Sequence, residues 1–388
     1  MTAVALEGIR VLDFSAMIAG PYCTRLLADL GAEVIKVEPP EGDYMRSREP
    51  RKEGFGLYFG VLNAGKRSIA VDLKKPEGIA LVKALAAKCD VVLENFRPGV
   101  MKRLGLDSGA LRALNPKLVF CSISGYGQTG KYASLPAYAP IVQAASGYEL
   151  ANLHYQRGLE RPLNSGIFAA DYLTGVHAFG AICAALVRRT RTGEGETIDC
   201  AMMDAMLGML AYEVAEAQAP VSRPRLLYQA TRAKDGFLIT APITQGNFEA
   251  MARAAGHEDW LRDTRFATPT ARGQNWDVLM AELDRWAADK TVAECEAKMA
   301  ESGCPCARYG TVREAMESAY ASERGLFATV KAGDAEFLAP NAPFKMSGAR
   351  ASTRAPALGE HGRRVLEELL GSAPQDVDRL VADKVLLA

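Results

Sequence analysis

The first 125 residues alternate short apolar runs with longer amphipathic segments. The β-type runs lie at 9–14, 33–38, 68–73, 90–94 and 118–122, and another follows at 197–200. Helical spacing runs from Pro21 to Leu30 before Gly31 and from Pro76 to Lys88, and 99–105 reads as a short helix. Strand, helix and strand in this order predict parallel strands joined by right-handed crossovers. We therefore expect a large, Rossmann-like, doubly wound α/β domain.

The pattern changes after Ala219. Residues 220–225 are typical of a linker, and 228–328 contain one β-type run, Gly236–Ala241, among polar amphipathic helices that carry all three tryptophans. Short β-type pieces at 329–350 and a helical segment at 359–371 follow. Because the residues after Ala219 differ from those before it in composition and in predicted elements, the sequence predicts a second, smaller domain in the middle of the chain.

The longest apolar stretch, Tyr172–Val187, has 16 residues. A membrane span needs about 18 or more, so this stretch predicts a buried core helix, and His177 within it reads as structural. The first ten residues lack a basic segment followed by an apolar run, and we expect a cytoplasmic protein. Balanced charge, with 46 Lys and Arg against 46 Asp and Glu, predicts neither a nucleic acid nor a membrane as partner.

The eight cysteines are scattered, which indicates a reducing compartment rather than a disulfide framework. The one close pair is Cys304 and Cys306, and the chain has four histidines. This spacing does not match a structural metal site, and we expect no bound metal.

The first strand–helix junction, Ser15–Pro21, is where a doubly wound fold binds nucleotides. It does not carry the GxGxxG pattern, which disfavours a dinucleotide-dependent dehydrogenase. The sequence also has neither a GxxxxGK[ST] P-loop nor a GxSxG nucleophile elbow. Nucleotide hydrolysis by a P-loop and serine hydrolase chemistry are therefore disfavoured.

Asp171 is the strongest candidate for chemistry. It follows Ser165–Ala170 and precedes the long apolar helix. One interpretation is a helix N-cap. The other is a nucleophile, because a carboxylate kept ionised by a helix start can attack an activated acyl group. The two roles are compatible.

Basic residues gather between 46 and 103, beginning with Arg46, Arg48, Arg51 and Lys52. Solvated surface charge explains such residues in most proteins. Several of them follow predicted strands, however, at the edge where this kind of fold binds phosphates. Tyr138 lies in a loop of small residues, and the simplest interpretation is that its side chain packs within that loop.

A set of motifs in a fixed order now makes the chain recognisable. It comprises Gly8–Phe14, Ala19–Pro21, Leu30–Glu38, Gly42-Asp43 with Arg46, Asn63 with Gly65–Ser68, Glu94–Gly99, Ser124–Gly127, Asp171 with Gly175, Thr192–Gly195 and Asp235-Gly236. These motifs resemble the family III CoA-transferases of CaiB/BaiF type. That superfamily includes formyl-CoA transferases, carnitine CoA-transferases and α-methylacyl-CoA racemases, and the resemblance covers essentially the whole chain.

The resemblance implies an interlocked homodimer. Each chain would have a discontinuous large domain, 1–219 plus 329–388, with a smaller α+β domain and its linkers at 220–328. It also implies that Asp171 is the nucleophile. The carboxylate would form a mixed anhydride with the donor acyl group and then an aspartyl-CoA thioester.

Residue-by-residue matching to the family assigns coenzyme A contacts to fourteen positions. They are Ile18, Ala19, Val71, Asp72, Leu73, Lys74, Asn95, Phe96, Arg97, Arg103, Pro136, Ala137, Tyr138 and Ala139. The spare arginines Arg46 and Arg48 would contact the substrate acid.

Departures from the family pattern narrow the function. Racemases of the family carry His where this chain has Tyr138. The chain therefore lacks the second acid–base group, which would return a proton to the opposite face of the substrate after the first group has removed one. Formyl-CoA transferases carry Gln at Ile18, Lys at Pro136 and a glycine-rich loop that this chain lacks. We therefore predict a CoA-transferase. The spare arginines, and the prominence of dicarboxylates in the family it resembles, favour a short dicarboxylate such as succinate, mesaconate or itaconate as the acid that receives CoA. The alternatives are a 2-methylacyl-CoA racemase using Asp171 and a non-catalytic CoA-ester-binding protein.

Overall fold

The computed structural model describes residues 4–156, 158–219, 227–349 and 351–387. The chain divides into two compact units, Met1–Gln218 with Tyr320–Ala388, and Ala219–Ala319. The second unit ends at Ala319 in this division, and at 328 in the sequence-based prediction. The backbone N–H of Asn341 donates to the carbonyl of Leu326 (2.8 Å) and its side chain to that of Gly325 (2.9 Å), so these residues are bonded within the first unit. The sequence-predicted linker at 220–225 lies outside the described residues.

The described residues form fourteen strands. They are β1 (Arg10–Asp13), β2 (Glu33–Glu38), β3 (Arg51–Lys52), β4 (Phe55–Gly56), β5 (Arg67–Val71), β6 (Val91–Glu94), β7 (Val119–Ser124), β8 (Glu196–Ala201), β9 (Ala230–Ala233), β10 (Gly236–Thr240), β11 (Cys306–Arg308), β12 (Phe327–Ala332), β13 (Ala335–Pro340) and β14 (Leu386–Leu387).

Eighteen α-helices and two short 3₁₀ turns, at Tyr44–Ser47 and Glu258–Leu261, complete the described elements. The helices are α1 (Ala19–Asp29), α2 (Leu57–Asn63), α3 (Pro76–Ala86), α4 (Val100–Arg103), α5 (Ser108–Leu114), α6 (Ala139–Ala145), α7 (Tyr148–Tyr155), α8 (Ala169–Thr192), α9 (Met202–Met209), α10 (Ala211–Glu216), α11 (Gln245–Ala255), α12 (Pro269–Gln274), α13 (Trp276–Ala287), α14 (Val292–Glu301), α15 (Val312–Glu317), α16 (Ala319–Arg324), α17 (Gly362–Leu370) and α18 (Pro374–Ala382).

The first unit is built on a seven-stranded sheet in the order β14-β5-β2-β1-β6-β7-β8. Six strands are parallel, and β14 pairs antiparallel with β5. The central strands are apolar and buried on both faces, as parallel strands between helices must be. The prediction of a mixed α/β chain with a largely parallel sheet is confirmed, and the antiparallel edge strand is the departure from it.

Helices α3, α4, α5 and α17 cover one face of the sheet through Leu85, Met101, Leu111 and Leu366. Helices α1 and α8 cover the opposite face. The strand order reverses between β1 and β6, because β1 leads to β2 on one side while β6 to β8 follow on the other. Ligands bind outside the carboxyl ends of the strands at such a reversal.

The long helix α8 is buried on one side only. Ala178, Ile182 and Leu186 pack against α1 and the sheet, whereas Val176 and His177 on the other side are exposed. The prediction of a buried core helix therefore holds for one face, and His177 lies on the exposed face. By length and composition α8 is the one helix in the described part of the chain that qualifies as a membrane span, a test that core helices also pass.

The second unit contains the antiparallel sheet β11-β10-β9 with helices packed on it. Its core gathers Phe248, Trp260, Phe266, Trp276 and Leu283. The sequence predicted one strand here, β10. The other two, β9 and β11, have only four and three residues, which is too short to show a clear alternation in the sequence.

Candidate active site

A cavity of about 420 Å³ lies at the carboxyl ends of β1, β2, β5 and β6, where the strand order reverses. Its volume is in the range of small-molecule sites. The lining residues come from the loops that follow these strands, and they are Phe14, Ser15, Ala16, Lys36, Val37, Glu38, Pro39, Pro40, Glu41, Gly42, Asp43, Tyr44, Val71, Asp72, Leu73, Lys74, Phe96, Val100 and Leu104.

Five of the fourteen predicted coenzyme A contacts line this cavity. They are Val71, Asp72, Leu73, Lys74 and Phe96. Lys74 is exposed, and its ammonium group has no ion pair in the described part of the chain. Lys36, the other lining cation, is buried and holds Asp43 at 2.9 Å. Lys74 is therefore the lining cation that is free to meet an anion.

The other predicted contacts lie around the cavity rather than in its wall. Ile18 and Ala19 are buried at the start of α1, and Arg97 and Arg103 are exposed on the loop and helix after β6. Both ends of the Asn95 amide bond the backbone of Ala16. These residues surround the same sheet edge without lining the cavity.

Asp171 lies in the first turn of α8 and is not its N-cap. The N-cap is Phe168, whose side chain makes no capping bond. The buried Gln143 of α6 accepts a hydrogen bond from the N–H of Ala170 at 3.3 Å, and so satisfies one of the free amides at this helix start. The sequence interpretation of Asp171 as a cap is wrong, and its carboxylate is left for another purpose.

The Asp171 carboxylate is half-buried, and we find no hydrogen bond or ion pair to it among the described residues. Burial raises the pKa of Asp171 from 3.8 to about 6. The sequence argument expected the helix start to keep the group ionised. Loss of hydration outweighs that effect, although a group with this pKa is still mostly ionised at neutral pH.

Close packing of α8 on α1 brings Asp171 to the edge of the sheet that carries the cavity. A Cβ on Gly175 would lie 2.6 Å from the carbonyl oxygen of Ala19, so only glycine permits this approach. Gly175 is one turn beyond Asp171, and Ala19 begins α1 directly after the loop of Ser15 and Ala16. Both helices therefore begin at this edge.

The predicted segment Pro136–Ala139 lies close to Asp171. Ala139 packs with Ala170 and Met206 in one small cluster, and Ala137 contacts that cluster. Tyr138 points outward and is 62% exposed. The loop and Asp171 thus come together through the small side chains rather than through Tyr138.

Two tyrosines near Asp171 were missed by the sequence argument. The hydroxyls of Tyr58 and Tyr172 are 3.0 Å apart, and the Tyr172 ring meets Tyr22 edge-on at 4.9 Å. Burial raises the pKa of both Tyr58 and Tyr172, and the nearby Asp171 charge adds to the effect. Both phenols therefore stay protonated. Tyr172 directly follows Asp171 in sequence, which was the available signal.

A buried ionic network supports the loops around the cavity. Asp13 accepts hydrogen bonds from Lys66 (3.1 Å), Thr24 (2.6 Å) and Ser15. Burial raises the pKa of Asp13, but Lys66 and Lys36, together with the hydrogen bonds from Ser15 and Thr24, outweigh it, and the net pKa is below its ordinary value. Burial lowers the pKa of Lys66 to about 8 against the attraction of Asp13. The network fixes the ends of β1, β2 and β5 relative to one another.

Arg46 is not a spare arginine, and that prediction is wrong. Its guanidinium donates two hydrogen bonds to Glu38, each 2.7 Å long, and a third to the carbonyl of Pro356. It also lies 3.8 Å from the centre of the Phe59 ring. Arg48, in contrast, is exposed and donates to the hydroxyl of Tyr44 (3.0 Å), a lining residue.

Metal chemistry has no evident site in the described ranges. There, no group of three or more His, Cys, Asp or Glu side chains is placed to hold an ion. Cys304 and Cys306 are free thiols, and burial raises the pKa of each.

Comparison with known proteins gives a consistent result. A model of CoA-transferase family III matches residues 6–362. Succinate–glutarate CoA-transferase of Agrobacterium fabrum is 36% identical over 388 residues, covering 94% of this chain and 95% of that protein. Succinyl-CoA–D-citramalate CoA-transferase of Chloroflexus aurantiacus is 34% identical over 398 residues, with 98% of both chains covered. The crystal structure of a CaiB/BaiF family protein from Brucella suis is similar at a TM-score of 0.83 and 34% identity, covering 95% of this chain and 100% of that one.

Proposed function

The chain belongs to CoA-transferase family III, a family of enzymes, and we propose that it moves CoA from an acyl-CoA donor to a carboxylic acid through covalent intermediates on Asp171. The observation that carries this proposal is the state of the Asp171 carboxylate. It is half-buried and unpartnered among the described residues. Asp171 is not one of the cavity-lining residues, but it lies one turn from Gly175, which packs on Ala19 just after the lining loop of Ser15 and Ala16.

The reaction needs four attacks on carbonyl carbon. An oxygen of Asp171 attacks the donor thioester, the C–S bond breaks, and CoA leaves as thiolate. The thiolate then attacks the side-chain carbonyl of Asp171 and releases the donor acid. The acceptor carboxylate attacks the resulting aspartyl thioester and expels CoA thiolate. Attack of that thiolate on the acceptor acyl carbon gives the new thioester and restores the Asp171 carboxylate.

The raised pKa of Asp171 suits a nucleophile. A carboxylate gains nucleophilic strength as its basicity rises, provided that it remains ionised. With a pKa of about 6, the group meets both conditions at neutral pH. Each intermediate keeps the acyl group activated, so the transfer needs no separate energy source.

The Tyr58–Tyr172 pair supports oxyanion stabilisation beside Asp171. Two hydroxyls that share one hydrogen bond retain one further proton to donate. Both phenols stay protonated because burial raises the pKa of each. A donor fixed before the reaction begins stabilises the negative oxygen of a tetrahedral intermediate.

Coenzyme A would be held by the residues at the carboxyl ends of β5 and β6. Val71, Leu73 and Phe96 give an apolar wall, and Lys74 supplies a free cation for phosphate. The exposed Arg97 and Arg103 lie after β6 at the same edge and extend this basic surface. Ile18 and Ala19, with Pro136–Ala139, would flank the reacting end near Asp171.

We propose succinyl-CoA as donor and a short dicarboxylate as acceptor. The support is the names of two relatives, a succinate–glutarate and a succinyl-CoA–D-citramalate CoA-transferase. Arg48 remains the proposed contact for the second carboxylate of the acceptor, because it is exposed next to the lining residue Tyr44.

The test is a panel of mono- and dicarboxylic acids with succinyl-CoA or acetyl-CoA as donor. Asp171→Ala is expected to abolish exchange with every acid, and Arg48→Ala to raise KM for dicarboxylates alone. Transfer by Asp171→Ala at the parent rate would refute the proposed nucleophile. An active parent without preference for dicarboxylates would refute the substrate class alone.

We also propose that the enzyme is a homodimer. Apolar side chains are exposed on the four helices α6 to α9 and on the segment before α8, including Ile141, Leu150, Ile167, Val176 and Leu207. Such a surface is typical of one that a partner covers. A second copy, rather than lipid or nucleic acid, is the occupant that the family resemblance implies. Sedimentation of the parent is expected to give twice the mass of one chain.

A cytoplasmic location remains part of the proposal. All eight cysteines are free, and Cys23, Cys89, Cys121 and Cys295 are buried thiols. Free thiols in this number are typical of a reducing compartment.

A further inference from the structure

The loop between β1 and α1 contains a strained residue. Met17 has φ = +67°, in the left-handed region that side chains with a Cβ seldom adopt. Glu53 and Lys384 are the other non-glycine residues with positive φ in the described chain, and both lie in exposed turns. Met17 is half-buried beside the cavity. Strain of this kind persists where surrounding contacts impose it.

Side chains from three strand ends hold the peptide groups before Met17. The Asn95 amide accepts from the N–H of Ala16 (2.9 Å) and donates to its carbonyl (2.8 Å). Asp13 accepts from the N–H of Ser15 (2.9 Å), and Lys36 donates to the Ser15 carbonyl (2.7 Å). The N–H and the carbonyl oxygen of Ala16 are thus both hydrogen-bonded to the side chain of Asn95, directly next to the strained Met17.

This loop joins the two halves of the site. Ser15 and Ala16 line the cavity, and the loop ends at Ala19, which touches α8 one turn from Asp171. Asn95 directly precedes Phe96, another lining residue. A change in the Asn95 contacts is therefore transmitted to the start of α1 and to the position of its backbone N–H groups relative to Asp171.

We propose that Asn95 is a positioning residue for the transfer reaction, acting by clamping Ala16 so that Met17 stays left-handed and the start of α1 stays aligned with Asp171. The family resemblance makes Asn95 a coenzyme A contact, whereas here both ends of its amide are engaged by the protein backbone. The inference rests on the proposed function for its activity readout, and amide exchange provides a second readout that needs no activity.

The experiment combines clamp removal with relief of the strain. Asn95→Ala is expected to lower kcat for succinyl-CoA about tenfold, a factor equivalent to about 1.4 kcal/mol, with a smaller change in KM. Adding Met17→Gly is expected to restore most of the loss, because glycine adopts positive φ without steric penalty. The matched control, Met17→Ala, also removes the side chain but keeps the penalty, so it is expected to restore nothing.

Hydrogen exchange followed by mass spectrometry tests the clamp itself. Exchange in a peptide spanning 15–22 is expected to accelerate in Asn95→Ala, while the peptides of β7 are unchanged. Asn95→Asp serves as a second variant, since it keeps the shape but turns the donor toward Ala16 into an acceptor, and it is expected to lower kcat in the same way.

Three outcomes separate the ideas. An increase in KM for succinyl-CoA at unchanged kcat, without rescue by Met17→Gly, would make Asn95 a direct substrate contact and overturn the inference. Unchanged exchange in 15–22 would overturn it as well. A parent enzyme that transfers no CoA, yet shows the accelerated exchange in Asn95→Ala, would refute the proposed function and leave the clamp standing.

Discussion

Replacing Asp171 with Asn is predicted to stabilise the fold at alkaline pH. Burial raises the pKa of this carboxyl from 3.8 to about 6, so ionising it in the native state costs free energy. A shift of about two units corresponds to about 3 kcal/mol, an upper bound because the group is only partly shielded from water. Asparagine has nearly the same shape and removes the charge.

The sign of the pH dependence follows from linkage. A carboxyl whose folded pKa is raised contributes stability that is fully present below pH 3.8 and is lost as the pH rises through about 6. Asp171→Asn is therefore expected to be more stable than the parent at pH 8. Its advantage should shrink through pH 6 and vanish near pH 4. The parent thus carries a stability cost for an ionised, half-buried carboxylate at this position.

Thermal unfolding at pH 8, 6 and 4.5 measures the effect. The unfolding entropy for 388 residues is about 0.8 kcal/mol per kelvin, so the shift in Tm at pH 8 is at most about 4 °C. Asp107→Asn is the matched control, because Asp107 caps α5 and asparagine caps helices equally well. A lower Tm for Asp171→Asn at pH 8, or a shift that does not depend on pH, would show that the ionised Asp171 carboxylate does not destabilise the fold.

Three further predictions concern packing and charge at the site. Gly175→Ala is expected to lower kcat at least tenfold, since its Cβ would meet a backbone oxygen of α1 at 2.6 Å, whereas Gly246→Ala in helix α11, with open space around it, should leave kcat unchanged. Glu94→Gln is expected to raise Tm above pH 7 but not below pH 4.5. Burial raises the pKa of Glu94 from 4.5 to about 7, so the native state loses stability as that carboxyl ionises. An equal gain in Tm at both pH values in melting curves would contradict this. Arg46→Ala is expected to destabilise the fold by about 3 kcal/mol, because it removes the ion partner of the buried Glu38 carboxylate. The control Arg48→Ala, at an exposed position, should change the free energy of unfolding by less than about 0.5 kcal/mol in denaturant titrations. Equal losses in the two variants would show that the Arg46–Glu38 ion pair is not the reason.

Hydrophobic patterning predicted the parallel core of the sheet because each central strand is a compact apolar run. The run 33–38 coincides with β2, and the segment 76–88 contains α3. The edge strand β14 was missed since its two residues, Leu386 and Leu387, carry no periodic signal. Its pairing with β5 depends on a contact between distant parts of the chain.

The exposed face of α8 could not be read from the sequence. Val176 and Val187 are as apolar as the buried Ile182, so periodicity gives no indication of which side faces the core. The same limit applies to Arg46. Its residue type and its place in a basic cluster suggested a free cation, but the partner Glu38 comes from the end of β2 and is recognised only when the fold is known.

The candidate nucleophile was predictable, and its environment was not. Asp171 stood out because a carboxylate precedes a long apolar helix within a recognisable set of motifs. The absence of a capping bond, the raised pKa and the tyrosine pair of Tyr58 and Tyr172 depend on tertiary packing. Asn95 was expected to contact coenzyme A, whereas both ends of its amide bond a neighbouring loop.

The proposed covalent aspartyl intermediate at Asp171 can be detected by following the oxygen atoms of the acceptor acid. An acceptor acid labelled with oxygen-18 attacks the aspartyl thioester, and the bond to the shared oxygen then breaks on the acceptor side. One labelled oxygen therefore remains on Asp171 after each turnover. Digestion and mass spectrometry after many turnovers are expected to find oxygen-18 in the carboxylate of Asp171. An unlabelled Asp171 in an enzyme that has converted labelled acceptor to its CoA ester would contradict the mechanism.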